Sequence, residues 1–324
     1  MNQRPCYIHS ASAVSCQLPL DESWMEQPLR HDGNYIRAVE PNVKDVLTPG
    51  EARRTGRLLK RAVAVSTDAL RLAGIDKPDC IITATGSGCM ENSEQFLIEM
   101  SRYGEQMLKP SLFMQSTHNT ISSLIAIRLG CHGYNNTFSN LGFSFENALL
   151  DATLQAEFGR SDKILVGSHD EVIPISGKLM RHLHRKCTLV SEASVAFTVT
   201  PEPDNAICRI DRVTLRTGSS PSEAAAMLSA DAPGLIIDGR DGDPESDAPY
   251  TEILNLTSIP SVTFKDVFGE NYSASAIACY IAVTILRLGS LPEFFRSHVS
   301  TVPSKISILN TDVRGNFSII TLSK

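Results

Sequence analysis

The sequence predicts an α/β fold in which one run of elements is used twice, and three observations point to it. Residues 79–85 form a near-continuous apolar strand whose end, 81–85, runs into Gly86 and Gly88, just as residues 235–238 run into Gly239 and Gly242. Apolar runs of this length that stop at glycine are the pattern of strands buried on both faces. A helix in each part closes on the same tail, Ile125-Ala126-Ile127-Arg128-Leu129-Gly130 in one and Ile285-Leu286-Arg287-Leu288-Gly289 in the other. Between them, residues 137–152 read as strand, sharp turn and helix. Similar elements at corresponding places indicate a duplicated unit, and the polar stretch 201–205 divides the chain into halves of residues 1–201 and 202–324.

Taken in order, residues 6–14 read as the first strand, and residues 18–48, with Pro19, Pro28 and Pro41, as mostly loop. Thr48-Pro49-Gly50-Glu51 has the form of a capping box with proline at the first helical position, which predicts one helix running to Ala73. Its Arg53, Arg54, Arg57, Lys60 and Arg61 are read as a solvated face in preference to a docking surface. Residues 92–103 are helical, Pro110 breaks that helix, and strands follow at 163–168 and 193–199. In the second half a strand at 206–216 and an apolar helix at 274–289 precede strands 305–310 and 317–322, which close a second sheet as a hairpin.

With 324 residues, 42% of them hydrophobic, the chain is large enough to bury a full core. A formal charge of −6 argues against nucleic acid as the main ligand. Eight scattered cysteines with no Cys-x-x-Cys pair fit reduced thiols better than disulfides or zinc, so no metal is expected. The N-terminus has no apolar core of signal-peptide length, and the longest apolar run, 274–288, is too short to span a bilayer. The expectation is a soluble, cytoplasmic protein.

The junction at 137–152 is the most informative stretch. Phe145, Ala148, Leu149, Ala152 and Ala156 fall at helical spacing, with Gly159 as the stop, so Gly142 sits where a strand over 137–141 turns into that helix. Such a turn exposes its side chain to a helix N-terminus, which stabilises an anion there, and many folds hold a nucleophile at this place. Here the residue has no side chain to react. Ser139, Ser144 and Cys131 are the neighbouring alternatives, none of them at the turn itself. Gly86-Ser87-Gly88 lacks dinucleotide-binding spacing and counts for little as a phosphate loop. In Arg181-His182-Leu183-His184-Arg185-Lys186 no Cys or carboxylate sits beside the histidines, which leaves a solvated loop or a contact for an acidic partner.

Together these motifs resemble the β-ketoacyl-[acyl carrier protein] synthases, and with them the thiolase-like fold, whose duplicated α/β halves give a layered αβαβα architecture. Ketosynthases carry Thr-x-Ser-Thr-Ala-Cys-Ala-Ser-Gly, then Ala-x-Ala and an Asp-Ala pair. Thr137, Ser139, Ser144, Ala148, Asp151 and Ala152 keep that spacing without a gap, and Gly142 falls on the cysteine. The His-Gly-Thr-Gly-Thr motif is similar to residues 238–245, with Asp238 in place of the histidine. The Lys-Ser-Asn-x-Gly-His-Thr motif is similar to residues 265–271, with Lys265 kept and Glu270 in place of the second histidine. The closing Asn-Ser-Phe-Gly-Phe-Gly-Gly loop survives only in residues 310–316.

The resemblance implies a chain with no catalytic residues of its own, because Claisen condensation in that family needs a thiolate and two neutral imidazoles. It implies a structural pair between Lys265 and Glu192 and no cofactor. It also implies the role of a chain length factor, the cysteine-less homologue that pairs with an active ketosynthase in type II polyketide systems. Residues 115–123 and 131–136 look most like the synthase-like proteins of bacterial aryl polyene and flexirubin pigment clusters. On this reading Gln115, Thr117, His118 and Asn119 lie at the subunit interface or tunnel, with helix capping and satisfied core polarity as the alternative for His118 and Asn119. Acyl carrier protein is the transient partner, with Arg181, Arg185 and Lys186 or the basic residues 53–61 as its contacts. The competing readings are a stand-alone acyltransferase with a different nucleophile and a homodimeric acyl-binding or regulatory protein.

Overall fold

The computed structural model describes residues 4–33, 35–106, 108–183 and 189–324. Its ten strands are β1 (Tyr7–Val14), β2 (Cys80–Ala84), β3 (Tyr134–Phe138), β4 (Ile164–Asp170), β5 (Ala193–Thr200), β6 (Cys208–Arg216), β7 (Leu235–Asp238), β8 (Ser261–Thr263), β9 (Lys305–Thr311) and β10 (Phe317–Ser323). The helices are α1 (Pro49–Arg54), α2 (Arg57–Leu72), α3 (Met90–Tyr103), α4 (Pro110–Met114), α5 (Thr120–Leu129), α6 (Ser144–Glu157), α7 (Pro174–Leu183), α8 (Pro221–Asp231), α9 (Pro244–Asn255), α10 (Lys265–Phe268) and α11 (Ala274–Leu288).

All ten strands join one sheet in the order β3-β2-β4-β5-β1-β6-β10-β9-β7-β8. Outward from the central join, the order is β1, β5, β4, β2, β3 on one arm and β6, β10, β9, β7, β8 on the other. The two arms therefore repeat one strand order, and with it one pattern of parallel and antiparallel pairing. The join is narrow, since β1 meets β6 only at Tyr7 and Ile8. The expected hairpin of β9 and β10 forms, but as part of this single sheet and not of a separate one.

The core is layered for the reason its sequence pattern gives. The apolar stripe of α6 and the almost wholly buried α11 lie between the two arms of the sheet, in one core with residues of both. A second core packs α2 and α5 on the outer face of the first arm, and a third packs α8 and α9 on that of the second. Among the described residues no helix is long and apolar enough to cross a membrane, and the described cysteines are free and buried.

Three local expectations need correction. The helix predicted over 49–73 starts with its capping box, Thr48 accepting from Glu51 and Glu51 from Thr48, but breaks at Thr55 and Gly56 into α1 and α2. The amide side chain of Gln115 fills the break, taking the Gly56 N–H at 3.0 Å and donating to the Arg54 carbonyl at 2.8 Å. The arginines of this region are not all solvated. Arg61 is fully buried and pairs with the buried Glu192 at 2.8 Å, and Arg57 pairs with Glu91 at 2.8 Å. Finally, the strand placed at 137–141 runs over Tyr134–Phe138, in register with Cys80–Ala84 of β2. It ends because Leu141 takes a left-handed φ of 47° and residues Leu141–Phe143 form a 3-10 turn.

Candidate functional site

The turn from β3 into α6 is built by Ser144, whose hydroxyl accepts the Asn140 N–H at 2.8 Å and reaches the carbonyls of Leu141 at 2.7 Å and Thr85 at 3.1 Å. Ser144 is thus a fully buried closing residue of the turn. Ser139 is exposed at the turn's approach, and the Cys131 thiol is buried on the Pro78 carbonyl, so neither stands in for a nucleophile at position 142. Gly142 has no atom within 4 Å of where a Cβ would sit. Its vacancy is chemical, with room for a side chain above the helix N-terminus.

Both arms of the sheet bring polar groups to this turn. Asn310, at the end of β9, donates through Nδ2 to the Gly142 carbonyl and to Glu146 Oε1, each at 2.9 Å. Its Oδ1 accepts the Tyr250 hydroxyl at 2.9 Å. Glu146 lies in the first turn of α6, fully buried, and also accepts from Ser318 at 2.9 Å. Burial pushes its carboxyl pKa up, against hydrogen bonds from Ser275, Asn310 and Ser318. The Tyr250 hydroxyl and the Lys265 ammonium both crowd Gly239, where a Cβ would lie 2.4 Å and 3.3 Å from them.

Asp238 and Glu270, the two acids that the motif resemblance sets against histidines, are each bound to a cation. Asp238, at the end of β7, receives Arg240 Nε at 2.7 Å and Nη2 at 2.9 Å in a two-pronged pair. That bond raises the guanidinium pKa against the cost of burial. Glu270 is paired with Lys265. Burial works against charge on Lys265, but Glu270 and Tyr250 more than offset it and push its pKa up. The expected Lys265–Glu192 pair is therefore not formed: Lys265 takes the nearer carboxylate five residues on, and Glu192 is held by Arg61.

Among the described residues, the groups named at the turn include no thiol and no imidazole, and Glu146 Oε2 is a buried carboxylate oxygen without a hydrogen-bond partner. What this arrangement can do is hold the loops of the two arms together through ion pairs and amides. The glycine loop after β2 is likewise occupied from within: Asp170, fully buried, accepts the N–H groups of Gly86 at 2.9 Å and Ser87 at 3.0 Å and the Ser273 hydroxyl at 2.8 Å. Those amides are used on a carboxylate, not a phosphate. Among the described residues no group of His, Cys, Asp and Glu is arranged to hold a metal ion.

The remaining predicted residues are dispersed. Gln115 is the half-buried clamp on the α1–α2 break, and it also lies 3.3 Å from Asn92 Nδ2. Thr117 shares a hydrogen bond with Thr120 at 2.8 Å. His118 and Asn119 are exposed; the His118 ring lies over Gly88, and Asn119 takes the N-cap position of α5 without a side-chain cap bond. Arg181 is on α7, whereas Arg185 and Lys186 lie outside the described residues. Tyr250 and Glu146 are the site residues that sequence reasoning missed, whereas Arg240 and Asn310 lie inside the stretches 238–245 and 310–316 that the sequence marks, without a role assigned to them there.

Known proteins agree with this geometry at the level of fold and family. Comparison with curated proteins gives no match. Among solved structures, the chain is similar to the type II PKS acyl-carrier protein in complex with its ketosynthase bound to the hexaketide (AntDE:AntF), with a TM-score of 0.79 and 11% identity over 100% of this chain and 99% of that one. It is similar to the ishigamide ketosynthase/chain length factor, with a TM-score of 0.78 and 13% identity over 99% of each chain. A beta-ketoacyl synthase from Burkholderia phymatum STM815 matches with a TM-score of 0.78 and 12% identity, again over 99% of each chain. These place the fold as thiolase-like. The family model for the beta-ketoacyl synthase N-terminal domain matches residues 23–237, and the chain accordingly belongs to the beta-ketoacyl synthase family.

Proposed function

We propose that this chain is a non-catalytic, chain-length-factor-type subunit that pairs with an active ketosynthase and shapes its acyl tunnel. One observation carries the reading. The positions that carry cysteine and two histidines in condensing members are here a bare glycine and two acids, each acid in an internal ion pair with its own cation. Paired carboxylates do not donate to a developing enolate as imidazoles do. The likeness of residues 115–123 and 131–136 to the synthase-like proteins of aryl polyene clusters supports a polyene product, and acyl carrier protein is the transient partner, with Arg181, Arg185 and Lys186 as its candidate contacts.

An exposed face supports the subunit role. Among the described residues β3 is an edge strand with an open backbone ladder on one side, and Tyr134 on it is exposed, with Phe113 and Met114 of α4, Ile127 of α5 and Leu154 of α6 exposed on the helices of the same arm. An unpaired edge flanked by large apolar side chains is costly to leave in water. The decisive experiment is purification of the chain alone and with a condensing ketosynthase from the same source. The expected result is a 1:1 complex by native mass spectrometry, with condensing activity in the complex and none in this chain. A chain that is active by itself, with an acyl adduct on Ser139, Ser144 or Cys131, would overturn the reading.

A further inference from the structure

Helix α3 lies on the surface, held along its length by the Phe96–Phe113 ring contact at 5.5 Å and the Glu99–Lys109 pair at 2.6 Å. Of its fourteen residues only Asn92 is buried, while Leu97, Ile98, Met100 and Tyr103 are exposed. Its N-terminal turn is fastened to a buried cluster of charges: the Glu91 N–H donates to Glu171 Oε1 at 2.9 Å, and the Glu91 side chain accepts from Arg57 at 2.8 Å. Glu171, just past β4, is 2% exposed, and no hydrogen-bond donor reaches its Oε2 among the described residues.

The charges around Glu171 are unequal. Arg57 and Arg61 face it from α2, Glu91 from α3 and Glu192 from the segment before β5. Arg61 is taken by Glu192 at 2.8 Å, with Glu40 also 3.2 Å from its Nε, and Arg57 is taken by Glu91. Tyr35 adds a hydroxyl 3.4 Å from Glu192, and Cys89, the residue before α3, a thiol whose pKa burial pushes up. The neighbouring Asp170 is engaged by the glycine loop. Four carboxyls, Glu40, Glu91, Glu171 and Glu192, thus share two guanidiniums that sit nearest to the other three, which leaves Glu171 as the surplus acid beneath a helix that buries only one residue.

We propose that Glu171 couples pH to the seating of α3, the helix staying down while this carboxyl is neutral and lifting as it ionises. Burial, outweighing the Glu91 N–H and Arg61, raises the carboxyl from 4.5 to about 7 in the seated form. Once α3 lifts and water reaches the group, it returns toward its ordinary value. The seated form therefore binds the proton more tightly and is favoured at low pH. That advantage is lost as pH rises from 4.5 to 7, and the lifting equilibrium rises about tenfold between pH 6 and pH 8. On the subunit reading this tunes a surface rich in exposed apolar residues, but the device itself needs no partner.

The test is hydrogen exchange on the full chain at pH 6, 7 and 8, expressed as protection factors to remove the intrinsic pH dependence. Protection over residues 91–100 is expected to fall about tenfold from pH 6 to pH 8 in the wild type and to stay flat in Glu171→Gln, with residues 121–129 unchanged in both. A flat wild-type profile, an equal fall in Glu171→Gln, or a fall shared by 121–129 would each overturn the proposal. If the variant does not fold, the wild-type profile against that control still decides. Because the readout uses the chain alone, its failure is separate from failure of the subunit reading.

Discussion

Arg240 grips Asp238 with two nitrogens, Nε on Oδ1 at 2.7 Å and Nη2 on Oδ2 at 2.9 Å, and so engages both oxygens of the carboxylate that ends β7. Asp238 is fully buried, whereas the Arg240 side chain keeps 29% of its exposure. Removing the cation alone leaves a buried carboxylate without its partner. Arg240→Ala is expected to cost about 2–3 kcal/mol, less than a fully enclosed pair because water screens the guanidinium. Asp238→Asn in the same chain should recover part of that loss. Urea denaturation measures both, and a loss within about 0.5 kcal/mol for the single variant would show that the pair contributes nothing.

Gly142→Cys separates geometry from chemistry. Since no atom lies within 4 Å of the Cβ position, the variant is expected to fold with a stability change of no more than about 0.5 kcal/mol. A thiol there sits at the N-terminus of α6 and should alkylate with iodoacetamide faster than the buried native cysteines. Malonyl decarboxylation and condensation should still be absent, because Asp238 and Glu270 remain in their ion pairs. Turnover restored by this one change would mean that the two acids do not block the chemistry.

His169 gives a pH dependence of opposite sense to that of Glu171. It is fully buried on β4, neither ring nitrogen has a hydrogen-bond partner among the described residues, and burial lowers its pKa from 6.5 to about 3. Above pH 6.5 it is neutral in both folded and unfolded chains and contributes no slope. As pH falls below 6.5 the unfolded chain takes up a proton that the folded one does not, so stability is lost, by about 2 kcal/mol at pH 5. Glu171 gains stability over much of the same range, so the informative quantity is the difference between the wild type and His169→Gln. That difference should change by about 2 kcal/mol between pH 7 and pH 5 in denaturant titrations. A constant difference would place the proton elsewhere.

Elements with a local cause were legible in the sequence, and contacts made between distant segments were not. The capping box at Thr48, the glycine stops and the buried strands β2 and β7 depend on residues within a few positions of each other, and they fall where their pattern puts them. The repeated order of the two arms was visible as a repeated order of elements. By contrast, nothing near Gly56 announces that a glutamine 59 positions away will break the helix. Arg61 looked like one more basic residue on a helix surface until Glu192 came to meet it. At the site, the spacing marked Gly142, Asp238, Glu270 and the loop that begins at Asn310, but Tyr250 reaches it only through α9, and Glu146 is the one carboxylate among the buried residues of α6.

Ile127 tests the exposed face of the first arm. It belongs to the repeated tail that closes α5, yet it is 78% exposed, whereas its counterpart in the tail of α11, Leu286, is buried at 1%. The same motif is thus used as core in one half and left bare in the other, beside strand β3, whose outer edge is unpaired among the described residues. Since water already surrounds Ile127, Ile127→Asp should leave the stability of the isolated chain within about 0.5 kcal/mol. If this face meets a ketosynthase, the buried charge should weaken the complex by at least about tenfold, chiefly through faster dissociation. Surface plasmon resonance with the immobilised partner reads the rate directly. Unchanged dissociation, with the variant's thermal stability also unchanged, would move the interface off α5 and the β3 edge.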